Sequence, residues 1–202
     1  MWHRRWIMTS AIVTVLGIVP IWSGTASSVP PNIPRCKTAG LRVWEYNTLV
    51  GAGHVNDLFW IRNVSSESCS IAGYPSIGYQ NMHGRALPVK VGDERGNDGN
   101  FVGGVKSGFA LPDVILQAKG AVASFWVDGL DIPAGNPAPS CIDTKRMIFT
   151  APHSSGSTIA PPLKSNGFFW CGGVSVFPVV AGRSGSLTAR ALSYFFGVPS
   201  IG

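Results

Sequence analysis

Along most of the chain, apolar and polar side chains alternate in short runs broken by glycine, proline, serine and asparagine, and no amphipathic helical repeat appears before residue 184. Leu41 and Val43 fall on one face of a first strand, with Glu45 following on that face and Trp44 and Tyr46 on the other. Leu58 to Val64 makes a second strand, closed by the serine-rich turn at 65–68. Short strands are expected at 69–72, 77–80, 87–91, 114–117, 121–127, 146–150 and 174–180. Turns at 73–75, 81–84 and 118–120 separate several of them. About nine strands spaced near ten residues apart predict an all-β fold, an immunoglobulin-like antiparallel β-sandwich. Two stretches read as loops: residues 92–108, with six glycines, and the Pro-, Ser- and Gly-rich 151–166.

The first residues break this pattern. His3, Arg4 and Arg5 precede an apolar run from Trp6 to Ile21, no acid occurs before Glu45, and small residues fill positions 23–28. This is the layout of a secretory signal, with a small-x-small cleavage site after Ala26 or Ser28. The rival, a retained anchor, has an apolar run somewhat short of the roughly 20 residues that span a bilayer. The expected organisation is a signal peptide at 1–28, a linker at 29–35, one sandwich domain at 36–183, and a tail or extra strand at 184–202. After cleavage no membrane span is expected. The product would be secreted, extracellular or held in the cell envelope.

Composition supports export. Charged residues are only 13% of the chain while 45% is hydrophobic, so a sizeable core is available and neutral polar groups carry much of the surface. The formal net charge of +6 includes Arg4 and Arg5, and the remaining basic residues are scattered, with Lys145-Arg146 their one adjacent pair. Without a basic run or helix, nucleic acid is not an expected partner. The expected partner is an envelope component or protein of unspecified chemistry.

Cys36, Cys69, Cys141 and Cys171 all follow the signal, and an even count there argues for two disulfides. Three pairings exist; the bipartite spacing favours Cys36 with Cys69 and Cys141 with Cys171. A metal site lacks the necessary spacing, since no C-x-x-C or Cys/His pair at ligand distance occurs.

The residues offer little catalytic chemistry. There is no G-x-S-x-G elbow, no catalytic residue is assigned and no cofactor is expected. His54, His83 and His153, with Met82 or Asp57, would form a copper or zinc site only by converging in space. Asp128, Asp131 and Asp143 near Trp126 are the carboxylates available for glycoside hydrolysis, but Asp128-Gly129 and 131–137 read more simply as a turn and a loop. Asp93, Glu94 and Asp98 lack the order of a calcium loop. Trp44, Trp60, Trp126 and Trp170 are expected in the core, with Trp170 against the disulfide of Cys171. The candidate binding residue is His54. It ends the glycine-rich turn 51–54, where the backbone can approach a ligand closely and an imidazole can donate or accept a hydrogen bond.

Asn63-Val64-Ser65 is a formal glycosylation sequon, but its short polar side chains read better as the hydrogen-bonding groups of a turn. Gly51-Ala52-Gly53-His54, Asn63, Ser65, Cys69 and Gly73-Tyr74-Pro75, followed by Trp126, Cys141 and Cys171-Gly172-Gly173-Val174, resemble an actinobacterial exported family, domain of unknown function 4232. The resemblance covers about residues 36 to 182. It implies a secreted or envelope-associated immunoglobulin-like sandwich. Members are often lipoproteins, but the lipobox cysteine is missing here, and the family offers no catalytic residues.

Overall fold

The structure, a computed structural model, describes residues 32–51, 53–93, 111, 113–133, 135, 139–163 and 167–183. The expected signal and tail therefore lie outside the described residues, as does most of the 92–108 loop with Glu94 and Asp98. What is described is all-β apart from one 3-10 turn at Thr38–Gly40. In chain order the strands are β1 (Leu41–Gly51), β2 (His54–Asn63), β3 (Cys69–Ile71), β4 (Ser76–Gln80), β5 (Ala86–Leu87), β6 (Lys90–Asp93) and β7 (Val114–Leu116). They continue as β8 (Val122–Leu130), β9 (Cys141–Thr144), β10 (Arg146–Thr150), β11 (Thr158–Ala160), β12 (Phe168–Cys171), β13 (Gly173–Val176) and β14 (Val180–Ala181).

The largest sheet has the order β1-β2-β8-β13-β6, and β14 pairs with β8 further along the strand. All its pairs are antiparallel except β13 with β6, so the expected purely antiparallel arrangement carries one parallel edge pair. A second sheet runs β11-β10-β4-β5, and the pairs β12-β9 and β3-β7 complete the assembly. The large sheet and these smaller ones meet in a sandwich-like core. Phe59 stacks on Phe125 with ring centroids 5.1 Å apart, Phe125 meets Phe149 at 5.5 Å, and Phe59 meets Phe168 at 5.8 Å. Strand alternation explains the choice of residues: Leu41 and Val43, Phe59 and Ile61, and Ala123, Phe125 and Val127 all turn inward and are buried.

β2 and β8 are longer than their apolar runs. β2 begins at His54 because β1 and β2 form one continuous hairpin, in register from Gly51↔His54 to Leu41↔Asn63 apart from a bulge at Glu45/Asn47. Gly53 supplies the positive φ of +81° at its tip. β8 runs through Asp128-Gly129, expected to be a turn, because Gly129 fills a packing role inside the strand. A Cβ there would lie 2.6 Å from Trp170 Cε3.

Both disulfides form as the spacing predicts, Cys36 with Cys69 and Cys141 with Cys171. The second joins residues directly opposed in the β9-β12 pair. Beside the first, the Cys36 amide donates to Ser70 O and the Ser70 amide donates to Pro34 O. Pro34 and Arg35, placed by the sequence in a linker, thus lie against β3.

The Asn63-Ser65 turn is built as expected. Asn63 Nδ2 donates to the carbonyls of Glu67 and Leu116, and its Oδ1 accepts from the amide and hydroxyl of Ser65. Every hydrogen-bonding site of a fully buried amide is used within the fold, which leaves none of it presented for glycosylation.

Two outcomes follow. Gly129→Ala should destabilise the fold by about 1–3 kcal/mol through overpacking against Trp170, read by urea unfolding; an unchanged midpoint would contradict the interlock. Replacing Cys36 and Cys69 together by Ser should lower stability by about 3 kcal/mol, and non-reducing peptide mapping of the parent should recover only the two local linkages.

Candidate functional site

The outward face of the large sheet carries the most distinctive chemistry. Residues out of phase with the core line up across β1, β2 and β8: Arg42 opposite Arg62, Trp44 opposite Trp60, then Leu58 opposite Trp126. Tyr46 lies flush on Trp60, with centroids 3.6 Å apart and planes 11° from parallel, while Trp44 meets Trp60 edge-on at 5.8 Å. The Arg42 guanidinium sits 5.8 Å over the Trp44 ring. Gly182 curls the chain over the same face: its amide donates to Val122 O, its carbonyl accepts from Ser124 Oγ, and Arg183 rests 5.2 Å over Trp60. Trp170 alone of the four expected core tryptophans belongs to the core cluster. Trp44, Trp60 and Trp126 are half-buried and face outward. The strand period that turns Val43, Ile61 and Val127 inward sends their neighbours to the other side.

His54 lies on this outward face at its far end. Its Nδ1 is 3.5 Å from Oδ1 of the buried Asp128, a contact longer than a good hydrogen bond. The two residues, with Lys90, Ser175 and residues 171–173, line a cavity of about 370 Å³. The expected binding residue therefore lines a cavity with polar walls at one end of a long sheet face. In extended chain, the nine residues of β2 from His54 to Arg62 span roughly 25–30 Å.

A second cavity, of about 330 Å³, opens on the inner side of the same hairpin and is lined by Glu45, Thr48, Val55, Asp57, Asp131 and 167–169. Glu45 and Asp57 are 5% and 2% exposed. Glu45 is a latch for the chain beyond β11: its Oε2 accepts from the Leu163 amide at 2.6 Å, and its own amide donates to Pro161 O. Thr48 Oγ1 lies near both carboxylates and donates to Glu45 Oε1. A hydroxyl has one proton to give, so Asp57 is the less well served. Burial, then the neighbouring Glu45 charge, pushes the Asp57 carboxyl from 3.8 up to about 7, against a smaller opposing pull from Thr48. The same burial, together with Asp57 and Glu45, pushes the Tyr79 phenol up. The alternation of Leu41, Val43 and Glu45 signals this inward acid in the sequence. Asp57 is in phase with Phe59 and Ile61 in the same way, but it precedes the apolar run that begins at Leu58.

The other candidates separate in space. Asp128 faces outward beside His54, Asp131 lines the inner cavity, and Asp143 is paired with Lys145. His83 belongs to the turn in which Asn81 Oδ1 accepts from the His83 and Arg85 amides, and His153 occupies a positive-φ position at 58°. Among the described residues no three His, Cys, Asp or Glu side chains gather as a metal-binding group. No helix among them is long and apolar enough to cross a membrane.

Comparison of the chain with family models, with curated proteins and with solved structures finds no match.

The raised Asp57 pKa makes a signed prediction. Between about pH 4 and 7 the folded protein holds a proton that the unfolded chain has released, so this group's contribution to stability falls as pH rises and levels off above about 7. Asp57→Asn has no proton to lose. Its melting temperature relative to the parent should climb from pH 4.5 to 7.5 and then stay constant; a difference independent of pH would contradict the assignment.

Proposed function

We propose that the protein is an exported, immunoglobulin-like β-sandwich of the cell envelope that acts by binding rather than by catalysis, through the outward face of its large sheet. The observation that carries this reading is the Trp44-Trp60-Tyr46 stack, built on a rigid sheet yet outside the core. Contiguous aromatic surface of this kind is costly to leave in water and marks interaction sites. Two disulfides support a compartment outside the reducing cytosol, and the N-terminal pattern and the resemblance to the exported family support secretion. His54 belongs to this reading as a contact at the far end of the face.

The test is cosedimentation of the full oxidised chain with isolated cell-envelope material from an actinobacterium. Tyr46→Ala should release most of the bound protein with little change in melting temperature, because the ring is 43% exposed. His54→Ala should weaken binding less. Retention equal to the parent in both variants would refute the face as the binding surface.

One observation favours a second reading, hydrolysis of an envelope polysaccharide: Glu45 and Asp57 share a cavity, and burial pushes the Asp57 carboxyl up to about 7. Their near-complete burial and the latch made by Glu45 favour a structural role instead. Reducing-sugar release by the parent and its loss in Asp57→Asn would support the hydrolase; absence of turnover leaves the binding reading.

A further inference from the structure

We propose that the ligand of the outward face is an acidic polysaccharide whose carboxylate or phosphate groups are held by Arg42 and Arg62 and whose sugar rings lie on Tyr46. This inference rests on the binding-face reading above and names its ligand class.

Charge placement is the first argument. Arg42 and Arg62 are direct cross-strand partners on one face, both exposed, and neither has a carboxylate at ion-pair distance among the described residues. Like charges opposed in this way oppose strand pairing, and an anion seated between them reverses the sign of that interaction. The hairpin's own acids do not serve. Glu45 and Asp57 turn to the inner cavity, so among the described residues the part of the face from Arg42 to Trp126 is cationic and aromatic without a counter-charge. The next acid along the face, Asp128, lies at the far end beside His54.

Geometry is the second argument. Arg42 rests over an indole, which limits the freedom of its guanidinium, and a planar fork matches carboxylate or phosphate oxygens. Tyr46 is stacked on Trp60 and remains exposed, a flat, electron-rich ring suited to the C–H face of a pyranose. One anion clamp next to one ring platform, on the exposed end of a face whose farther positions Leu58 and Asp128 are buried, fits a charged sugar unit within a chain that continues into solvent. Single-stranded nucleic acid would use similar groups, but the disulfides indicate a compartment where it is not the prevailing polymer.

The experiment titrates the full oxidised chain with polygalacturonate, following tryptophan emission, with dextran as a neutral polymer, an oligothymidylate as nucleic acid and phosphatidylglycerol vesicles as an anionic surface. Polygalacturonate should perturb the emission and bind more weakly as salt increases, while dextran should bind far less. Arg42→Gln with Arg62→Gln should weaken binding about tenfold or more, and Arg→Lys at both positions should recover only part of it. Tyr46→Ala should weaken binding without altering the salt dependence. Equal affinity in the Arg→Gln double variant, equal binding of dextran, or preference for the oligothymidylate or the vesicles would overturn the proposal. If envelope cosedimentation depends on Tyr46 while polygalacturonate does not bind, the ligand class is wrong and the binding face stands. If cosedimentation is also insensitive to Tyr46, the reading beneath it has failed as well.

Discussion

Trp170 sits at the centre of the core because Gly129 leaves room for it. The indole is completely buried and occupies the space a side chain on β8 would take, so the β9-β12 pair can press against the middle of the large sheet. The residues around this contact follow from it. Tyr79 packs on the same indole from the second sheet, Phe168 from its own strand reaches Phe59, and Cys171, next in the chain, is stapled to Cys141. The staple limits the freedom of a short strand pair that few backbone bonds would hold by themselves.

With the layers joined there, the β1-β2 hairpin is free to specialise its two sides. Its inward positions carry apolar core at one end and the buried Glu45-Asp57 pair at the other, where Glu45 holds a neighbouring segment by hydrogen bonds. Its outward positions carry arginine and stacked aromatic rings. Segregating charge by face in this way is inexpensive in a strand, because neighbouring residues are already directed to opposite sides of the sheet. Acids and bases close in sequence, such as Arg42 and Glu45, thereby act in separate environments.

Much of this architecture can be read from residue pattern. The all-β class, the position of most strands, the local cysteine pairs and the Asn63 turn all depend on near-neighbour chemistry, and all are found. What escaped reading depends on distant partners. β9, β11 and β12 are three or four residues long; β9 and β12 pair across more than twenty residues, and β11 falls inside the Pro-, Ser- and Gly-rich stretch 151–166 whose composition marks a loop. Asp128-Gly129 carries the signature of a turn, and only the approach of Trp170 gives the glycine another purpose. For the tryptophans, size suggested burial, whereas their phase against Val43, Ile61 and Val127 predicts the outward face; phase is the better guide in a half-buried sheet. The carboxylate pair needed the strand register to become visible, since Glu45 and Asp57 come from different strands and Thr48↔Asp57 is what brings them together.

The two disulfides each close a ring within its own part of the chain, with sequence separations of 33 and 30. Neither ring contains the pairing of β2 with β8, or of β6 with β13, on which the large sheet depends. An unfolded but oxidised chain is therefore two small loops joined by an open stretch, and must still close that stretch without covalent help. Between β2 and β8 the Cys36–Cys69 bond offers no shorter path, so loop-closure entropy for that pairing is nearly the same whether the cysteines are oxidised or reduced. Between β6 and β13, by contrast, the Cys141–Cys171 bond bypasses part of the intervening chain. Because closure cost changes only slowly with loop length, oxidation makes the folded state more resistant to unfolding while leaving the slow, non-local part of the conformational search largely as it was.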